Sequence, residues 1–298
     1  MTSTYSTENT QNDIIAKSPG FNWTIAKKPS IFVKKSTKEY VKYAKILGFL
    51  DNKMGIKYSG IRRYKYLVQQ EIKDENIQIE KYKNIYDRKN DCFKTSYTLA
   101  KHKWGRVQPV NHMSLSIMHR PTRHALCQDY YRDVDMCCAH PQIIIEACRL
   151  SGMEDAIPAI VEYVENSKKY RHELMDLHQV SYDVAKQLPL RLMFGGDYQA
   201  WKDDFGVTDD EKLPLMKEYQ AQLKVVSEVV FLNNEHILKD VMKSEPDKWK
   251  DVYSKKRGVM SLWCLTMERL IQETAISFLV NEKGFKLEDI VPCQDGFM

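Results

Sequence analysis

No run of 18 apolar residues occurs anywhere in the 298-residue chain, so no segment has the length and character of a membrane-spanning helix. Cysteine is scarce and unpatterned: the seven present show no paired spacing, and Cys137 and Cys138 are adjacent. That argues against a disulfide framework and a zinc-type ligand set, and it fits an intracellular, reducing compartment. The first twenty residues are rich in Ser, Thr, Asn and Gln and lack the apolar centre of a signal peptide. They read as a disordered lead-in, residues 1–20.

What is present is an ordinary globular composition with lopsided charge. Hydrophobic residues make up 43 % of the chain, enough for a sizeable core in one large domain or two ordinary ones. The formal net charge of +5 conceals an asymmetry. Residues 1–130 carry 24 Lys and Arg against 11 Asp and Glu, and residues 131–298 carry 21 against 29. A basic half suits a nucleic-acid phosphate backbone, although a lysine-rich surface has the same composition.

The stretch Tyr130–Cys148 organises the rest. Tyr131, Asp133 and Asp135 alternate with Arg132, Val134 and Met136, a strand pattern that sets both aspartates on one face. A turn leads to His140-Pro141, and Pro141 suits the first turn of a helix whose buried face holds Ile144, Ala147 and Cys148. A carboxylate at the end of a strand can hold a metal ion against a cleft; it can equally be a hydrogen-bonded aspartate at a strand–helix junction.

Before this stretch, residues 61–95 interleave Tyr with Lys and Arg and read as an amphipathic helix. Arg106, Arg120 and Arg123 lie on a segment broken by Gly105 and Pro109, where they suit phosphate clamps or surface positions. After it, residues 154–180 are helical. Lys186 is followed by apolar positions and then by Phe194-Gly195-Gly196, and Pro189 is expected to kink that helix or begin a new one. Residues 209–242 read as one long helix opened by Asp209-Asp210-Glu211. Residues 261–282 read as another, with Trp263, Met267, Leu270, Ile271, Thr274 and Phe278 in one stripe, Glu268 and Gln272 opposite, and Gly284 as its stop. Residues 290–298 read as a strand entering a turn at Asp295-Gly296. The hairpin's second strand is then expected to be missing, as if the sequence were truncated or its edge covered by something else.

In order and spacing these segments resemble the family A DNA polymerases, most closely the compact family-A-palm proteins of viruses and mobile elements. Gly105-Arg106, Ser114-Leu115-Ser116-Ile117 and Arg123 resemble the segments that precede the family's first catalytic motif. Asp135, with His140 five residues on, resembles motif A, with its metal-binding aspartate and sugar gate. Lys186 with Phe194-Gly195 matches the spacing of the fingers helix that grips the incoming nucleotide. Ile271-Gln272-Glu273-Thr274-Ala275 and Gln294-Asp295-Gly296 resemble the Ile-Gln-Gly-Thr-Ala segment and motif C. The resemblance covers residues 104–298. It departs at Tyr182, where an arginine is usual, at Pro189, and at Gln294 and Gly296, which stand where motif C has histidine and a second acid. No stretch resembles a proofreading exonuclease.

The resemblance implies an α/β (α+β) fold: a right-hand polymerase palm sheet, a mainly helical fingers insertion and a basic N-terminal helical region. The implied plan is a basic part at 21–100 that could be thumb-like, palm at 101–150, fingers at 151–260 and palm again at 261–298. It implies two Mg²⁺ ions on Asp135 and Asp295, and Lys186, Phe194 and His140 at the incoming dNTP. Arg106, Arg123 and Gln272 would lie along a DNA template-primer, with other replication proteins as partners. Neutralising charge and positioning the reacting groups is most of what phosphoryl transfer requires. A single-subunit RNA polymerase or primase-like enzyme shares these parts. A non-catalytic nucleic-acid-binding palm would keep the fold without turnover. A metal-dependent nuclease would leave the Lys186 and Phe194-Gly195 spacing unexplained.

Overall fold

The computed structural model describes residues 22–25, 77–87, 89, 92–110, 114–118, 123, 131–293 and 296–298. The lead-in expected at 1–20 and residues 26–76 of the basic region lie outside the described residues. The fold is α+β, mostly helical with two small antiparallel sheets.

The first sheet joins β1 (Asn22–Ile25), β2 (Tyr86–Asp87), β3 (Cys92–Thr98) and β4 (Gln108–Pro109), with β3 as the strand all the others pair with. Phe93, Thr95 and Tyr97 alternate along β3 and are buried, as a strand with one covered face requires. This corrects the helix expected over 61–95 and the helical character given to the N-terminal region: residues 77–83 are helical, and strands follow. Tyr82 stacks on Phe93 with ring centroids 4.2 Å apart, so at least one of the interleaved tyrosines packs inward against the sheet.

The second sheet is three strands, β5 (Val134–Asp135), β6 (Pro292–Cys293) and β7 (Gly296–Phe297), in the order β5-β7-β6. Val134 faces Phe297 and Asp135 faces Gly296 across one ladder; Cys293 faces Gly296 across the other. Val291 and Met298 exchange backbone hydrogen bonds of 2.8 and 2.9 Å. The strand expected to be missing is therefore β7, and it takes β5 as its second neighbour. Residues 294 and 295, between the hairpin strands, lie outside the described residues.

Eight helices carry the bulk of the described chain between and beside these strands: α1 (Ala139–Leu150), α2 (Pro158–Glu165), α3 (Ser167–His178), α4 (Tyr182–Met193), α5 (Tyr198–Phe205), α6 (Pro214–Asn233), α7 (Glu235–Ser244) and α8 (Val252–Lys283). The long α8 packs on α1, α6 and α7, and the main core forms among them around Ile160, Leu188, Trp201, Met216, Tyr219 and Cys264.

The helices depart from expectation at three places. The stretch 209–242 is two helices, because the Asn234 side chain donates to the Val230 carbonyl (2.8 Å) and its backbone leaves helical angles. Asp209 opens no helix; its carboxylate accepts from His178 Nδ1 at 2.9 Å and from Lys202 Nζ at 3.0 Å, and α6 starts at Pro214. On α8 the apolar stripe looks outward, with Ile271 45 % and Phe278 50 % exposed, while Glu268, Arg269 and Gln272 are buried. Pro189 lies within α4 as one continuous helix, buried on the face that carries Ala185, Leu188 and Leu192. Gly284 caps α8 in the left-handed conformation, as its position in the sequence suggests.

Candidate active site

Asp135 is the last residue of β5, and its backbone is paired with Gly296. Two segments 161 residues apart thus meet at one carboxylate. Asp295, the chain neighbour of Gly296, lies outside the described residues. The pairing is close: a Cβ at Gly296 would lie 2.0 Å from Val134 O and 2.7 Å from Asp135 Oδ1. Glycine is the residue that leaves the space beside that carboxylate open.

The hairpin is pinned from below by α8. Gln272, buried, donates its amide to the carbonyls of both Cys293 and Gly296. The sequence places Gln272 on nucleic acid; in the fold its amide nitrogen is engaged instead in holding the β6–β7 turn. One helical turn earlier, the fully buried carboxylate of Glu268 accepts two hydrogen bonds from Arg106, that from Nη2 at 2.7 Å. His140 Nε2 lies 2.7 Å from the same carboxylate, off line for a straight hydrogen bond. Burial pushes the Glu268 carboxyl up, but His140 and Arg106 outweigh it and hold it below its ordinary range. Arg269 donates to Gly105 O (3.1 Å), and Gly105 N donates to Thr266 (2.8 Å), so α8 also fixes the backbone next to Arg106.

Above the hairpin lies a cleft of about 650 Å³ lined by Asp135, Lys186, Arg106, Arg123 and Gln272, with Tyr97 of β3 on its rim. Five residues singled out from sequence therefore share one cavity. Arg123 lies 3.8 Å from Asp133, and its Nε is buried. Lys186, on α4, is exposed. Phe194 caps α4 and meets the His140 ring edge-on, with centroids 5.3 Å apart. The Phe194-Gly195 turn is held by α8: Arg257 Nε donates to Phe194 O (2.8 Å) and Tyr253 donates to Gly195 O. The same α8 thus anchors the hairpin, the Arg106 segment and the end of α4.

Glu268 is the functional residue that sequence reasoning passes over. Its only signal is the pair it forms with Gln272, four residues on, and the apolar stripe opposite directs that pair to the wrong face.

Among the described residues no group of three or more His, Cys, Asp or Glu is positioned to hold a metal. The donors that remain for one are Asp135 and its sequence partner Asp295, and the open space at Gly296 suits an ion in front of Asp135.

No protein-family model matches the chain. It is 22 % identical over 195 residues to "Putative helicase V13" of Sputnik virophage, a match covering 65 % of this chain and 24 % of that protein. The chain therefore spans about a quarter of the length of this relative.

Proposed function

We propose that this chain is a template-directed DNA polymerase-like nucleotidyltransferase that joins dNTPs to a primer 3′-hydroxyl. The reading rests on one observation: the β5–β7 ladder sets Asp135 opposite Gly296, the neighbour of Asp295, on a cleft that Lys186 also lines. In this reading the small sheet is the palm, split between 101–150 and 261–298, and the helices of 151–260 are the fingers.

Asp135 and Asp295 would hold two Mg²⁺ ions, which when bound lower the pKa of the attacking hydroxyl and neutralise the leaving pyrophosphate. Lys186 neutralises nucleotide phosphates from α4. Phe194 backs the new base pair and fixes the His140 ring, which crowds a ribose 2′-hydroxyl. Arg106, partly exposed and partly spent on Glu268, and Arg123 contact strand phosphates through their remaining N–H groups. Gln272 serves mainly by holding the hairpin in register.

The virophage protein's name raises a second reading, a helicase. The chain contains no Gly-Lys dipeptide, so it does not itself supply the Gly-x4-Gly-Lys-Ser/Thr loop that cradles ATP in P-loop helicases. Extension of a primed DNA template with Mg²⁺, run with dNTPs and rNTPs in parallel, tests the proposal. Extension with dNTPs that falls at least ~10³-fold in Asp135→Ala and stops with EDTA supports it. Extension with rNTPs alone would make it an RNA polymerase. Strand binding equal in both proteins, with no extension in either, would overturn the catalytic reading.

A further inference from the structure

Arg171 of α3 is half-buried, and its guanidinium faces neutral groups only. Its Nε donates to Tyr163 Oη (3.2 Å), Nη1 to Tyr182 Oη (3.3 Å) and Nη2 to Cys138 Sγ (3.8 Å). It also lies over the Tyr163 and Tyr182 rings, each centroid 6.0 Å away. Among the described residues no carboxylate forms an ion pair with it, whereas Arg106, Arg149, Arg191 and Arg269 each have one. A cation withdrawn from water without a counter-ion is costly, and it is retained where an anion is to be bound.

Its contacts fix where that anion would sit. Cys138 comes three residues after Asp135 and starts α1 in the left-handed conformation, with no side chain capping the helix. Tyr182 lies one helical turn before Lys186 on α4, which sets the two side chains on the same face. Arg171 therefore touches both elements that carry the proposed metal and phosphate ligands. A guanidinium has five N–H donors, and three are engaged here, leaving two for a phosphate oxygen pair.

We propose that Arg171 and Lys186 together bind the triphosphate of the incoming nucleotide, with Arg171 supplying from α3 the guanidinium that position 182 of α4 lacks. The proposal rests on the polymerase reading for the identity of the nucleotide, and on the contacts of Arg171 for the anion.

The test is binding of inorganic tripolyphosphate to the full chain, followed by titration calorimetry, with primer extension measured separately. Arg171→Gln should weaken tripolyphosphate binding at least about tenfold, the effect expected of one charge-assisted contact, and raise the KM for dNTP more than it lowers kcat. Affinity for a single-stranded oligonucleotide should stay the same, which separates a triphosphate site from a backbone-phosphate site. Adding Tyr182→Arg to Arg171→Gln should restore tripolyphosphate binding, because an arginine there lies beside Lys186; a merely structural Arg171 would not be rescued. If Arg171→Gln does not fold, Tyr182→Phe, which removes only the hydroxyl holding the guanidinium, should weaken tripolyphosphate binding in the same direction. Unchanged tripolyphosphate binding in the folded variants, or weakened oligonucleotide binding instead, overturns the proposal. Tripolyphosphate binding that survives in Asp135→Ala without extension would leave the anion site standing while the polymerase reading fails.

Discussion

At His140 two demands meet in one imidazole. Its Nε2 lies against the buried Glu268, and its edge lies on Phe194. The first contact is structural, since Glu268 also anchors Arg106. The second places a side chain of fixed size beside the Phe194-Gly195 turn, which is what a sugar gate requires. Shrinking it, His140→Gly, should raise the kcat/KM ratio of rNTP over dNTP by about ten- to a hundredfold, the discrimination that one close contact of this kind supplies. Primer extension with each nucleotide measures it, and an unchanged ratio would remove His140 from the gate and leave only its contact with Glu268. The candidate role is legible in the five-residue spacing to Asp135. The contact with Glu268 is not, because a buried carboxylate on a helix looks like an exposed one until its partners are known.

Short elements here are decided by close approach and by local side-chain bonds. Gly296 is the strongest case. Any Cβ there meets backbone, Val134 O at 2.0 Å and Asp135 Cα at 2.9 Å, which flexible side-chain motion cannot relieve. Gly296→Ala should force β5 and β7 apart and cut extension by about 10- to 100-fold, as a backbone shift costing about 1–3 kcal/mol would. Circular dichroism that stays native would show that the loss is local. The glycine departure from motif C thus follows from strand pairing in this chain. Among the helices, the buried Lys202 and His178 converge on Asp209, whose carboxyl His178 and Lys202 hold down to about 2 against the penalty of burial. A depressed carboxyl contributes stability above its unfolded value of about 3.9 and loses it as pH falls through about 2. Wild type should therefore lose stability across that window, and Asp209→Asn should show a flatter acid limb together with a loss on the order of 2 kcal/mol at neutral pH. That loss is smaller than the roughly 3–5 kcal/mol of a fully buried pair, because the Asp209 side chain is 33 % exposed. Denaturant midpoints at several pH values would check both. Sequence patterning finds α8 and its Gly284 stop but puts its core face on the wrong side. Apolar residues are normally the buried ones, and here the site claims Glu268 and Gln272 for the interior.

Across the whole molecule, the order of the chemical parts is easier to read than the architecture that joins them. Asp135, Lys186, Phe194 and the closing hairpin are local patterns of a few residues, and each survives in sequence. The β1–β4 sheet is not readable, because β1 lies 67 residues before β3 and short strands pair with partners that periodicity cannot name. The rim of the cleft is built from that sheet: Tyr97 on β3 and Gln108-Pro109 on β4 face it together with Asp135. The basic half and the acidic half therefore meet at the cleft, and the charge asymmetry acquires a physical use: a strand lying in the cleft would run over the basic half. Affinity for a primed duplex should then fall steeply with salt, and replacing Arg62 and Arg63 together with Gln should lower the slope of log affinity against log salt. Every phosphate that the variant no longer neutralises should take about 0.9 off that slope and should leave the KM for dNTP alone. Titrations of labelled duplex at several salt concentrations measure it. An unchanged slope would mean that the lysines and arginines of the first half face solvent, and that the strand is held by Arg106 and Arg123 at the cleft itself.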